Sequence, residues 1–115
     1  MATRNAVSQA PEELRLKCDW AGLLNTDVGD AQALSHYPMK AVQAIGTFGV
    51  GGSVAIEGSM DGTNWGALRD STGTAIALTA ATIVRDVLEN PRFIRPRVTA
   101  GDGATVLTLM LWGAA

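Results

Sequence analysis

A chain of 115 residues is long enough for one domain with a buried core and too short for a catalytic domain beside a second module. Its 47% hydrophobic and 17% charged residues exclude a disordered chain, and a formal net charge of -2 excludes a general attraction to nucleic acid or an anionic membrane. One cysteine, Cys18, excludes an intramolecular disulfide, and one histidine, His36, excludes a zinc cage of nitrogen and sulfur ligands from a single chain.

Residues 1 to 12 are polar, contain Pro11 and show no period, so they are expected to form a flexible N-terminal arm that orders against a partner. They lack the long apolar run of a secretory signal, and no segment approaches the roughly 20 apolar residues of a membrane helix. The remaining residues, 13 to 115, are expected to form one domain. It opens with Leu14-Arg15-Leu16-Lys17-Cys18-Asp19-Trp20, where apolar and charged residues alternate. That is the period of a strand with one buried face, carrying Leu14, Leu16, Cys18 and Trp20.

Residues 21 to 38 read as a long connection, with at most one helical turn at Asp30-Ala-Gln-Ala-Leu34 capped by Asp30. Met39 to Phe48 reads as a second strand with neither face clearly polar. Either both faces are covered or Gly46 marks a bulge. Gly49-Val50-Gly51-Gly52 is a reversal, and Ser53 to Ser59 a third strand with Val54 and Ile56 inward. Asp61-Gly62-Thr63-Asn64 is a second turn. Trp65 to Leu68 follows as a strand in which Trp65 is expected to pair on the Ile56 side.

After the turn at Asp70-Ser-Thr-Gly73, Thr74 to Leu78 alternates Ile76 and Leu78 with small residues. Residues 79 to 88 fit either a short extended piece or a turn of helix. Arg92 to Val98 is expected to be an edge strand or a bulged one, because Pro96 lacks the amide a ladder bond uses. Gly101-Asp102-Gly103 reverses the chain into Ala104 to Trp112, where Leu107, Leu109 and Leu111 belong to the core. The opposite phase, Val106, Thr108, Met110 and Trp112, is itself partly apolar, so this strand is expected to be central or to meet a partner. Short strands separated by turns at roughly 8–12-residue spacing predict an all-β, antiparallel β-sandwich, jelly-roll or immunoglobulin-like.

No nucleophile elbow, Walker loop or dinucleotide fingerprint is present, and the Gly49–Gly52 cluster is followed by strand alternation where a phosphate loop would open a helix. No pair stands out among Glu57, Asp61, Asp70, Asp86, Glu89 and Asp102 for glycoside chemistry, and Asp-Gly at 61–62 reads as a hairpin turn rather than a calcium loop. His36 reads as a solvated or packed imidazole and Cys18 as a small buried hydrophobe. No enzyme, cofactor or metal site is expected. Arg92, Arg95 and Arg97 lie close together, and Arg95 and Arg97 share a strand phase. They suit contact with carboxylates of another subunit, or equally a charged edge that deters aggregation. Trp20, Trp65 and Trp112 complete the candidate partner interface, each with core packing as the alternative.

Gly52-Ser-Val-Ala-Ile-Glu-Gly-Ser-Met-Asp-Gly-Thr-Asn-Trp65, Leu68-Arg-Asp-Ser-Thr-Gly73, and Leu88-Glu-Asn-Pro-Arg-Phe-Ile-Arg-Pro-Arg-Val-Thr-Ala-Gly-Asp-Gly103 resemble small structural proteins of tailed bacteriophages. The resemblance spans residues 40 to 112. It implies a non-enzymatic capsid decoration, or cement, protein made in the bacterial host cytoplasm and placed on the outer surface of the virion head. There it would bind the major capsid protein lattice as a homo-oligomer, dimer or trimer, with no nucleic acid or membrane partner. Related strings occur in phage neck, tail and baseplate proteins and in carbohydrate-binding β-sandwich modules. Those are the alternative functions.

Overall fold

Strand alternation and turn chemistry act together here, and the computed structural model, which describes residues 2–8 and 15–115, contains strands and no helix among those residues. The strands are β1 (Thr3–Arg4), β2 (Ala6–Ser8), β3 (Arg15–Leu24), β4 (Val28–Gly29), β5 (Met39–Thr47) and β6 (Ser53–Ser59). They continue with β7 (Gly66–Ala67), β8 (Ala77–Leu78), β9 (Val84–Asp86), β10 (Phe93–Ala100) and β11 (Val106–Ala114). One sheet runs β1-β4-β10-β6-β7 with β8 also on β6, and the other runs β2-β3-β11-β5-β9. Every pairing is antiparallel except β1 with β4, and the two sheets pack face to face as a β-sandwich.

The core lies between them. From the five-stranded sheet come Leu16, Cys18, Trp20, Leu23, Val42, Ala44, Leu107, Leu109 and Leu111, and from the other Val54, Ile56, Leu78, Ile94 and Val98. These are the inward phases expected for the strands at 14–20, 53–59 and 104–112, except that Leu14 lies outside the described residues. Each such large side chain taken from water contributes roughly 1.5–3 kcal/mol before ordering costs, so this interior is the main source of stability. β11 is central, one of the two alternatives that its two-sided apolar character left open, paired with β3 on one side and β5 on the other.

β3 runs on to Leu24, beyond the alternation visible in the sequence, because a bulge keeps it in phase. Leu107 pairs with Leu23 and Leu109 with Trp20, so one extra residue stands on β3, where Gly22 takes a φ of 69°. Trp20 and Leu23 both point inward as a result. β5 keeps continuous register with β11 through Gly46, so the alternative of a bulge there is not the one adopted. Residues 48–52 are a turn, as expected, but they carry the chain from β5 in one sheet to β6 in the other. The crossing is tied down by Asp102, which accepts from the Val50 amide at 3.0 Å, and by Thr105 Oγ1, which donates to the Phe48 carbonyl at 2.8 Å.

Two expectations are corrected and one open alternative is settled. Asp30–Leu34 is not a helical turn: Gln32 and Ile94 exchange backbone hydrogen bonds at 2.9 Å, and the Asp30 carboxylate accepts from Ala6 N and Trp20 Nε1 instead of capping its own segment. Residues 79–88 contain no helix: a turn at 80–82, closed by Ile83 N to Ala80 O at 3.2 Å, leads into the extended β9 on the edge of β5. β10 is flanked on both sides and runs in regular register with β6 from Phe93 to Val98, with a shift only after Val98. Pro96 is tolerated because Ile94 and Val98 donate to Gln32 O and Asp27 O, while the intervening position faces Gly29, where no donor is required. A Cβ on Gly29 would lie 2.5 Å from both Pro96 Cδ and Trp20 Cδ1, so the closeness of these elements depends on a residue without a side chain.

Part of the segment expected to be an arm is paired within the sandwich. β1 joins β4 in one sheet and β2 joins β3 in the other, so residues 3–8 bridge the sheets at one edge. Asp27 accepts from Ala2 N and Arg4 Nε at 3.0 Å and Asp30 from Ala6 N at 2.7 Å, which gives this polar stretch partners within its own chain. Residues 1 and 9–12 of the arm lie outside the described residues.

Candidate functional site

β6 and β10 lie side by side, and their outward phase is charged where their inward phase is apolar. Arg95 stands opposite Glu57, and Arg97 opposite Ala55 one step along. Arg95 Nε donates to Glu57 Oε1 at 3.0 Å and Arg97 Nη1 reaches Glu57 Oε2 at 3.5 Å, so one carboxylate holds both guanidinium groups. Arg95 also lies over the Trp65 ring, 4.1 Å from its centroid. Arg92, just before β10, lies over Phe93 at 4.9 Å.

This arrangement corrects the expected place of Trp65. The tight turn at 59–64 leaves it just before β7, on the outer face with Glu57 and Arg95 and not on the Ile56 side. The turn is built by Asp61, which accepts from the amides of Thr63 and Asn64 at 2.8 Å, from Asn64 Nδ2 and from Ser59 Oγ. The Asn64 and Thr63 N–H groups hold its carboxyl well below the usual carboxylate range. Its oxygens serve the turn.

The six candidate interface residues are thus divided. Trp65, Arg95 and Arg97 come together, with Arg92 beside them. Trp20 is fully buried in the core and has no surface to offer a partner, which corrects its assignment to the interface: the bulge at Gly22 and the acceptors on Asp30 hold its ring inside. Trp112 is 46% exposed on the outer face of the other sheet, remote in topology from the arginines. Arg95 and Arg97, read as ligands for another subunit's carboxylates, already share one from their own chain.

The other chemical groups are dispersed. His36 is exposed, edge-on to Tyr37 with ring centroids 5.4 Å apart. Glu89 pairs with Arg69 at 2.8 Å, and Asp70 accepts from Thr72 and approaches Arg85 at 3.7 Å. Among the described residues no three His, Cys, Asp or Glu side chains gather as a metal site would need, and no helix is long and apolar enough to cross a membrane.

No family model matches the chain, and no curated protein matches it.

The sequence reading missed one feature and saw another only in part. Glu57 is the hub of the charged face but was visible only as one carboxylate among six. The outer face of the five-stranded sheet is apolar over much of its area: Leu24, Ile45, Val84, Val106 and Trp112 are all exposed there, with Met110 partly so. Its signal was present in the mixed phases of β5 and β11, where neither set of alternating residues is polar.

Proposed function

We propose that this protein is a decoration protein of a tailed-phage capsid, bound through the charged face of its six-stranded sheet to the outer surface of the major capsid protein lattice. The observation that supports this reading is the meeting of the resembling stretches. Residues 52–65 and 88–103 are distant in sequence, yet they supply β6 and β10, which pair along their length and present Glu57, Trp65, Arg95 and Arg97 as one surface. Arg95 is already oriented by Glu57 and Trp65, so docking would immobilise little further side-chain freedom. Three arginines set against one glutamate suit an acidic patch on the shell, and many copies of a modest contact would reinforce the shell by multivalency.

The test is to mix the purified protein with undecorated shells and image them. Density at regular outer positions is the expected result, reduced in an Arg95→Ala/Arg97→Ala variant. Empty lattice positions at saturating protein would overturn the reading. Imaging of intact particles separates it from a neck, tail or baseplate position, which rests on the same strings. A sugar-stacking role for Trp65 is disfavoured because the Arg95 guanidinium occupies one face of its indole.

A further inference from the structure

We infer that the apolar outer face of the five-stranded sheet pairs with the same face of a second copy of this chain, about a two-fold axis parallel to the strands. The register places Lys17 of β3, Trp112 of β11, Ala41 of β5 and Asp86 of β9 in one row across the sheet. The next row is Asp19, Met110, Gln43 and Val84, and at the far end Leu24, Val106 and Thr47 form another.

A two-fold along the strands lays each row on its own counterpart and reverses it. Lys17 of one copy then meets Asp86 of the other, at both ends of the row, and Trp112 lies over the partner copy's Ala41. The surface is shaped for that: a shallow groove of about 220 Å³ runs beside Ala41, walled by Trp112 and Met110 on one side and Val84 on the other. A two-fold across the strands would instead set the charged Lys17 and Asp86 row against the Leu24 and Val106 end; the axis along the strands keeps those two charges opposite one another, at the cost of setting Asp19 over Val84 in the next row. Asp86 is exposed and accepts one backbone bond, from Ser71 N at 3.1 Å, while Lys17 has a half-exposed contact with Asp19 at 3.4 Å. Both remain accessible for a contact between copies.

Strand spacing and rise give this face on the order of 500 Å² before side-chain relief, which for two copies reaches the lower bound of about 1,000 Å² for a specific interface. Faces of two sheets packed in this way make an aligned sandwich. The pairing does not depend on the phage reading, and it leaves the charged face of each copy free on the outside of the dimer.

Sedimentation velocity over a concentration series, without shells, tests it. The parent protein is expected to form a dimer, and Trp112→Lys to weaken the dimer by about 30-fold or more, as for an interface hot spot. Val84→Glu, on a different strand, is expected to act in the same direction, and thermal melts confirm that each variant is folded. Lys17→Glu alone weakens association, and Lys17→Glu with Asp86→Lys restores it, because the two charges then meet in reversed order. A parent that stays monomeric at the highest concentration, a dimer indifferent to Trp112→Lys and Val84→Glu, or a double charge reversal that fails to recover would overturn the inference. So would a monomer that loses shell occupancy on Trp112→Lys, which would assign this face to the shell.

Discussion

The indole N–H of Trp20 is shared between two acceptors on Asp30, the carboxylate Oδ1 at 3.0 Å and the backbone carbonyl at 3.1 Å. The same carboxylate accepts from Ala6 N and Gln32 Nε2, so one side chain links the core of one sheet to the N-terminal strands and to the bridge with β10. Removing a charged acceptor strands its donors, at about 1–3 kcal/mol. Asp30→Ala is expected to lose stability near the top of that range in urea denaturation, and Asp30→Asn, which keeps one oxygen, to lose less. Equal midpoints for Asp30→Ala and the parent would show that the carbonyl alone suffices for Trp20.

Asp27 governs the acid side of the stability curve. Burial pushes its carboxyl upward, but the Leu24 N–H, the Arg4 side chain and the Ala2 N–H together outweigh this and hold it below 3.8. A depressed folded pKa gives stabilisation that is present above the unfolded value and lost as pH falls through the folded one. Asp70, Glu89 and Asp102 are lowered as well, chiefly by the Thr72 hydroxyl, the Arg69 N–H and the Val50 N–H. The melting temperature is therefore expected to hold down to about pH 5 and fall below about pH 4. Asp27→Asn should melt lower at neutral pH and show a shallower acid limb. A parallel displacement of the whole curve would deny Asp27 that role.

Lys40 acts at the other end of the scale. Its amine is almost wholly enclosed, donating to Tyr37 O at 2.7 Å and Asn90 Oδ1 at 2.6 Å, and burial lowers its pKa from 10.5 to about 8. Between those values the unfolded chain holds a proton that the folded chain has released, so stability rises with pH across the interval. Denaturant midpoints of the parent minus those of Lys40→Met, followed from pH 7.5 to 10.5, are expected to show this rise. A flat difference would mean that the ammonium stays charged in its enclosure.

Inward phases were legible because burial imposes a period of two: Leu16, Cys18, Val54, Ile56, Leu107 and Leu109 all face the core as alternation required. What sequence could not reveal was set by contacts between distant segments. The extension of β3 depends on a bulge read against β11, and the tolerance of Pro96 inside β10 depends on Gly29 facing it across the ladder. Trp65 was misplaced because a hairpin was assumed to keep strand phase through a turn that Asp61 tightens. Of the candidate surface, Arg95 and Arg97 were found by shared parity. Their anchor, Glu57, required the register of β6 on β10, which no local pattern encodes.

The two arginines on Glu57 should differ in energetic weight. Arg95 is only 23% exposed at its side chain, bonded through Nε at 3.0 Å and covered by Trp65, whereas Arg97 is 52% exposed at 3.5 Å. Screening leaves an exposed pair about 0–1 kcal/mol, while partial burial and a fixed partner raise the coupling. A double-mutant cycle of Glu57→Ala with Arg95→Ala is expected to give a coupling of about 1–2 kcal/mol. The cycle with Arg97→Ala should stay below about 0.5 kcal/mol. Trp65→Ala should reduce the first coupling, because the indole restricts where the Arg95 guanidinium can go. If instead Arg97 carried the larger coupling, the face would be organised from its exposed edge and not from Arg95 held between Glu57 and Trp65.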